Sequence, residues 1–287
     1  MNSDTTFHDV VFIGTSRIQN HVDPRIIDSI CGVNSVCVTI QGSSIVQQYA
    51  LLKKYLQKHR APKLVVLGLD YETLNAALLP FRYPDYYENL DDTVFGPVNI
   101  HAVTRFKNRA LFQYVDFFIL YSAKTDYQKF AALAGALGSS QKFDNVKEQF
   151  FVKFSYISYY KGFQPVESEW NEESERILKG NEKLIYDQAG FGYLEDFIET
   201  SRQHFSKVMM VFPPVYIQFK RKYPNVGNYS ERITATASKL NVPYLDYTND
   251  SVCYSKKYFR DPMHMKTAAA ENFSVKLAGD INRYLGR

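Results

Sequence analysis

Three short runs leave little choice of architecture. Val10-Val11-Phe12-Ile13, Ser35-Val36-Cys37-Val38-Thr39-Ile40 and Leu64-Val65-Val66-Leu67-Gly68-Leu69 are apolar with almost no polar alternation, and each is too short for a helix. Runs of this kind are strands covered on both faces, the condition of parallel strands inside an α/β sheet. The segments between them read as helices. Asp23-Pro24 starts one that carries Ile26, Ile27 and Ile30 to Cys31 before Gly32 stops it. Ile45, Tyr49, Leu52 and Leu56 recur at helical spacing up to Arg60, and Ala61-Pro62 ends that run. Strands alternating with helices at this spacing imply right-handed crossovers, and so one edge where all the strand carboxyl ends emerge. Ser16, Gly42 and Asp70 fall on that edge.

The pattern resumes late in the chain. Residues 169–189 and 193–205 read as helices, and Lys207 to Phe212 as a fourth strand running into the rigid pair Pro213-Pro214. A helix capped by Asn228 or Ser230 reaches Leu240, Val242 to Asp246 is a short fifth strand, and Lys266 to Leu285 is a closing amphipathic helix. The expected fold is a three-layer α/β/α arrangement of flavodoxin-like type: one domain over 1–287 with a parallel five-stranded sheet. Residues 80–165 break the alternation. They are rich in tyrosine, with helical stretches at 101–123 and 127–137, and read as an insertion forming a lid or cleft wall. Lys161 to Pro165 reads as the turn back to the scaffold.

Composition narrows the functional classes. Hydrophobic residues at 45% and charged residues at 22% exclude a disordered chain, and no apolar run approaches the length of a membrane span. A net charge of +4 with scattered Lys and Arg gives no footprint for nucleic acid; the one basic cluster, Lys220-Arg221-Lys222, reads as a solvated loop. Three cysteines, Cys31, Cys37 and Cys253, are odd in number and lack metal spacing, so they read as apolar fillers. No signal peptide is visible at the start, and an anchor or signal upstream of the first strand is compatible with the fold.

The chemistry gathers at two distant places. Gly14-Thr15-Ser16 follows the first strand, so a serine hydroxyl stands where ligands bind in parallel sheets; read alone, it is an ordinary turn with an N-capping serine. Asp261-Pro262-Met263-His264 precedes the last helix, and one short loop can hold a carboxylate against an imidazole. A carboxylate that orients a histidine, which in turn takes a proton from a serine, is the arrangement of nucleophilic acyl transfer.

These residues resemble the blocks of the SGNH (GDSL-like) hydrolases. Gly14-Thr15-Ser16 is similar to the first block, Gly42 stands where the second has its glycine, and Asp261-x-x-His264 matches the last. The sequence Gly-Thr-Ser-Arg, the Gly-Leu-Asp of the third strand and the aromatic insertion look more like the cell-envelope polysaccharide O-acetyltransferase and D-alanine transfer branch than like secreted lipases. The resemblance covers roughly 8–75 and 205–285. It implies Ser16 as nucleophile, His264 as base, Asp261 as its orienter, and the backbone N–H groups of Ser16 and Gly42 facing the oxyanion. It also implies an esterase or acyltransferase that needs no cofactor and no metal and acts on ester-linked acyl groups of carbohydrate, in the cell envelope if an upstream segment directs it there and in the cytoplasm otherwise. Asp70 stands where the family has an asparagine, and Thr15 where it has an aspartate. Asp70 is therefore expected to be protonated, to be turned away, or to serve another task such as bonding Ser43 or Arg17, and Arg17 to pair with Asp70 or to hold an anionic substrate group. Asp70 and the large insertion leave a second reading open, a carbohydrate-binding or assembly protein of weak catalysis.

Overall fold

All five apolar runs become parallel strands in the computed structural model: β1 (Val10–Gly14), β2 (Ser35–Thr39), β3 (Leu64–Gly68), β4 (Lys207–Phe212) and β5 (Tyr244–Asp246). The structure describes residues 7–76, 160–204 and 206–286. These belong to the unit formed by Met1–Phe81 and Tyr159–Arg287, and the lid or wall expected over 80–165 lies outside the described residues up to Tyr160. Strand order is β2-β1-β3-β4-β5, with Val10 of β1 level with Ser35 of β2 on one side and Leu64 of β3 on the other. Every residue of β1 and β3 is buried, which is why neither run alternates. From β1 the chain first goes to β2 on one side and then returns to β3 on the other. Doubly wound sheets open a crevice at that reversal, outside the strand carboxyl ends.

Among the described residues the α-helices in chain order are α1 (Ser16–His21), α2 (Pro24–Cys31), α3 (Ile45–Lys58), α4 (Glu172–Leu178), α5 (Gln188–Gln203), α6 (Ile217–Arg221), α7 (Val226–Lys239) and α8 (Thr267–Leu285). α2 packs on α8, and α3 packs on α5. Val10, Phe12, Leu64, Val66, Met209 and Val211 share a core with Ile27 of α2 and Phe273, Leu277 and Ile281 of α8. The alternate residues of the same strands point to the opposite face, which α3 and α5 cover. Burying side chains such as Phe273, Leu277 and Ile281 stabilises by roughly 1.5–3 kcal/mol each. The pair that Lys276 of α8 makes with Asp250, in the loop after β5, is half-exposed at the lysine, and such surface pairs contribute about 0–1 kcal/mol. α8 is therefore held by its apolar face.

Several boundaries differ from expectation, each for a local reason. The helix expected over 169–189 is broken: Asn171 caps α4, Lys179 leaves it in an extended conformation, and Gly180 follows at φ 108°. α5 then begins at Gln188, with the Asp187 carboxylate accepting the Gly190 N–H. α7 begins at Val226, ahead of Asn228 and Ser230. The residue before it, Asn225, spends its amide on both backbone groups of Leu184, at 2.8 and 3.0 Å, instead of capping. Lys220-Arg221-Lys222 is the end of α6 rather than a solvated loop: the Lys222 side chain is 9% exposed and donates to the Ile177 carbonyl. The three cysteines are free and buried, and burial pushes the Cys253 thiol up to about 11.

Candidate active site

Gly14 ends β1, and the turn after it is built around two glycines. A Cβ on Gly14 would stand 2.5 Å from Ile18 Cγ1, and one on Gly68 only 2.0 Å from the same atom. The absence of both methyl groups lets Ile18, 1% exposed, seat α1 directly on the ends of β1 and β3. Thr15, with φ −90° and ψ −169°, is the N-cap, its Oγ1 accepting the Arg17 N–H at 3.2 Å. Ser16 is thus the first residue of α1 rather than its cap. That difference leaves the serine hydroxyl available for another partner.

The partner comes from the far end of the chain. Ser16 Oγ lies 2.8 Å from His264 Nε2, and His264 Nδ1 lies 2.9 and 3.0 Å from the two Asp261 oxygens. A carboxylate only accepts, so Nδ1 carries the ring proton and Nε2 is left to accept from the serine. Asp261 also shapes its own loop, accepting the Met263 and His264 N–H groups at 2.8 and 2.9 Å and Arg260 Nε at 3.0 Å. Burial raises its pKa, but the hydrogen bond and charge of His264, the Met263 amide and the Arg260 guanidinium outweigh it. The Asp261 carboxyl ends below the usual carboxylate range.

Asp70, at the end of β3, faces the same turn. Its Oδ1 accepts from Arg17 Nη1 at 3.0 Å and from the Tyr71 N–H at 2.7 Å; its Oδ2 accepts the Thr15 hydroxyl at 3.2 Å. Arg17 is 1% exposed. Its Nη2 donates to the carbonyls of Pro213 and Pro214, and its guanidinium stacks 4.8 Å over Phe212. Of the two roles open to Arg17, the pair with Asp70 is the one formed; a guanidinium this buried presents nothing to an anionic substrate. Ser43 does not bond Asp70. It is 1% exposed, and its hydroxyl lies 3.3 Å from Gln48 Nε2.

Comparisons with known proteins add a likeness at low identity. No family model matches the chain, and no curated protein matches it. Among solved structures, a GDSL-like lipase from Bacteroides thetaiotaomicron aligns over 96% of this chain and 88% of its own at 13% identity, with a TM-score of 0.45. An acetyl xylan esterase, AlAXEase, aligns over 95% and 98% at 12% identity, also with a TM-score of 0.45. Identities and scores this low leave the chemistry to be read from the distances around Ser16.

Gly42 adopts φ 64°, a conformation that favours glycine, in the loop after β2. Beside it, Gln41 Nε2 donates to Gln19 Oε1 at 2.9 Å and ties this loop to α1. The capping role of Thr15 and the part played by Arg260 were not read from the sequence. A hydroxyl directly before the serine is a readable capping signal, whereas Arg260 is one basic residue among many until the loop is folded. Among the described residues, no group of three His, Cys, Asp or Glu is placed to hold a metal ion.

Proposed function

We propose that the protein is a serine-dependent esterase or acyltransferase working through an acyl-Ser16 intermediate. The observation that carries this reading is the continuous chain from Ser16 Oγ through His264 to Asp261, with separations of 2.8 and 2.9 Å. His264 Nε2 takes the hydroxyl proton as Ser16 Oγ attacks the ester carbonyl carbon. The tetrahedral oxyanion is met by the backbone N–H groups of Ser16 and Gly42. The carbon–oxygen bond to the alcohol then breaks, and the alcohol leaves with the proton held by His264. Water, or a second alcohol, resolves the acyl-enzyme by the same steps in reverse. Asp261 keeps Nδ1 protonated and stabilises the imidazolium; a carboxyl held below its usual range stays ionised throughout.

The resemblance to envelope polysaccharide O-acetyltransferases supports acetyl as the acyl group, carbohydrate as its carrier and a cell-envelope setting. It also leaves transfer to a sugar hydroxyl beside hydrolysis as the second half-reaction. The reading as a binding protein drew on the insertion and on Asp70, whose charge would oppose the oxyanion. The pairing of that carboxylate with Arg17 and Thr15 supports the enzyme instead.

Turnover of p-nitrophenyl acetate tests the proposal. Ser16→Ala and His264→Ala are expected to lower kcat by roughly 10⁴-fold or more, and Asp261→Asn by on the order of 10³–10⁴-fold, with little change in KM. A folded Ser16→Ala protein that keeps its turnover sinks it.

A further inference from the structure

α1 meets the histidine loop twice. At its first residue, Ser16 Oγ lies 2.8 Å from His264 Nε2. At its last residue, His21 Nε2 accepts the Met265 N–H at 2.9 Å. An amide nitrogen is an obligate donor, so His21 is neutral at Nε2 with its proton on Nδ1. The side chain is fully buried, and its ring stands 6.4 Å from that of His264 at 85°. Ser274 of α8 lies 3.3 Å from the His21 carbonyl and so fixes this end of α1 against the closing helix.

We propose that His21 is a positioning residue for His264: by accepting the Met265 amide it locks the residue next to the base, so that one helix sets both ends of the Ser16–His264 hydrogen bond. Apart from the Met263 backbone, which also approaches His21, the other hydrogen bonds of this loop do not reach α1. Arg260 N bonds the His264 carbonyl at 3.0 Å, Tyr216 N bonds Pro262 O at 3.0 Å, and Asp261 closes the turn internally. Without His21, the loop would be referenced to the rest of the sheet while Ser16 was referenced to α1, and the distance between nucleophile and base would be free to drift. A misplacement of about 1 Å costs on the order of 10²-fold in rate.

Neutrality is part of the role, since a protonated His21 has no acceptor at Nε2. The charged and titratable groups facing it are Arg17 on its own helix and His264 and Arg260 on the loop, while α8 contributes only the uncharged Ser274. Burial first, then Arg17, then His264 hold its pKa well below the ordinary histidine value, against a raising contribution from the Met263 backbone. When His264 becomes an imidazolium during turnover, a neutral His21 adds no further positive charge beside it.

The inference rests on Ser16 and His264 acting as nucleophile and base, and the test separates the two. His21→Gln keeps an acceptor at the reach of Nε2; His21→Asn withdraws it, and His21→Leu abolishes it. kcat and KM for p-nitrophenyl acetate are measured between pH 5 and 8, together with the NMR signal of the His264 Nδ1 proton. The expected result is a fall in kcat of roughly 10- to 100-fold in His21→Leu and His21→Asn at unchanged KM. A weakened or broadened Nδ1 proton signal accompanies it, and His21→Gln recovers most of the rate and the signal. Equal rates in folded His21→Asn and His21→Gln overturn the proposal even where His21→Leu fails to fold. A wild-type protein without Ser16-dependent turnover defeats the proposed function. The Nδ1 signal then decides on positioning alone: unchanged in His21→Asn, it overturns the role; lost there and retained in His21→Gln, it supports it.

Discussion

Asp70, a departure from the resemblance that introduced this site, is paired with the buried Arg17. A guanidinium 1% exposed depends on its partner, so Asp70→Ala should lower the unfolding free energy by about 3 kcal/mol in urea titration, because it strands a buried charge. Replacing both, as Arg17→Met with Asp70→Leu, should recover most of that loss. Full additivity of the two single changes would show that the pair is not coupled. His21 makes a prediction of the opposite kind, in pH. Its folded pKa lies well below the ordinary value of about 6.5, so between those two values the unfolded chain binds more protons than the folded one. Stability therefore falls as pH drops below about 6.5, at up to about 1.4 kcal/mol per pH unit, and His21→Gln should lack that slope. Unfolding titrations at pH 7, 6 and 5 should show wild type losing stability to the variant step by step; parallel curves would contradict it. The contribution of Asp261 has the reverse assignment. Its depressed pKa stabilises above the unfolded carboxylate value of about 4 and is lost only as pH falls further, through the folded value. Ser16, His264 and Asp261 were legible in the sequence because each sits in a short motif at the end of an element. His21 was not, since a lone histidine at the end of a six-residue helix carries no local signal, and its partner is 244 residues away.

At the scale of elements, α1 depends on what is missing beneath it. Gly68→Ala places a methyl 2.0 Å from Ile18 Cγ1, and that atom is the buried stem of a β-branched side chain with little freedom to yield. The expected cost is about 1–3 kcal/mol, with a fall in turnover because Ser16 moves with the helix. Adding Ile18→Ala to Gly68→Ala should return part of the turnover relative to Gly68→Ala alone, and a strictly additive pair would show that the contact is not the cause. The strands and long helices followed from patterns complete within each segment, with β1 and β3 apolar throughout and α3 and α8 periodic. α1 and α6 were missed because six and five residues give too little periodicity to read. The extended stretch between α4 and α5 was read as helix because its charged residues suit a helix surface as well as they suit a loop. Only Gly180 and the cap at Asp187 marked the interruption.

For the molecule as a whole, strand order decides where chemistry can occur. With β1 lying between β2 and β3 and the chain reversing direction there, the carboxyl ends of β1 and β3 flank the crevice, and they lead into Ser16 and Asp70. The last loop then delivers His264 to Ser16 across a separation of 248 residues. The edge strand β2 is also closed off: Cys37 N donates to Lys161 O at 2.8 Å, and Lys161 Nζ is anchored to Asp28 and Asn34. That the sheet would be parallel could be read from its apolar runs, and this alone put Ser16, Gly42 and Asp70 on one edge. The bond from Ser16 to His264 could not, because no local pattern encodes a contact between chain ends. The most direct measurement of the central claim is labelling with a fluorophosphonate, followed by intact-mass analysis and peptide mapping. One adduct per chain on Ser16, absent in Ser16→Ala and strongly slowed in His264→Ala, is the predicted result. A folded wild-type protein that takes up no label, or that is labelled equally in Ser16→Ala, would contradict the account.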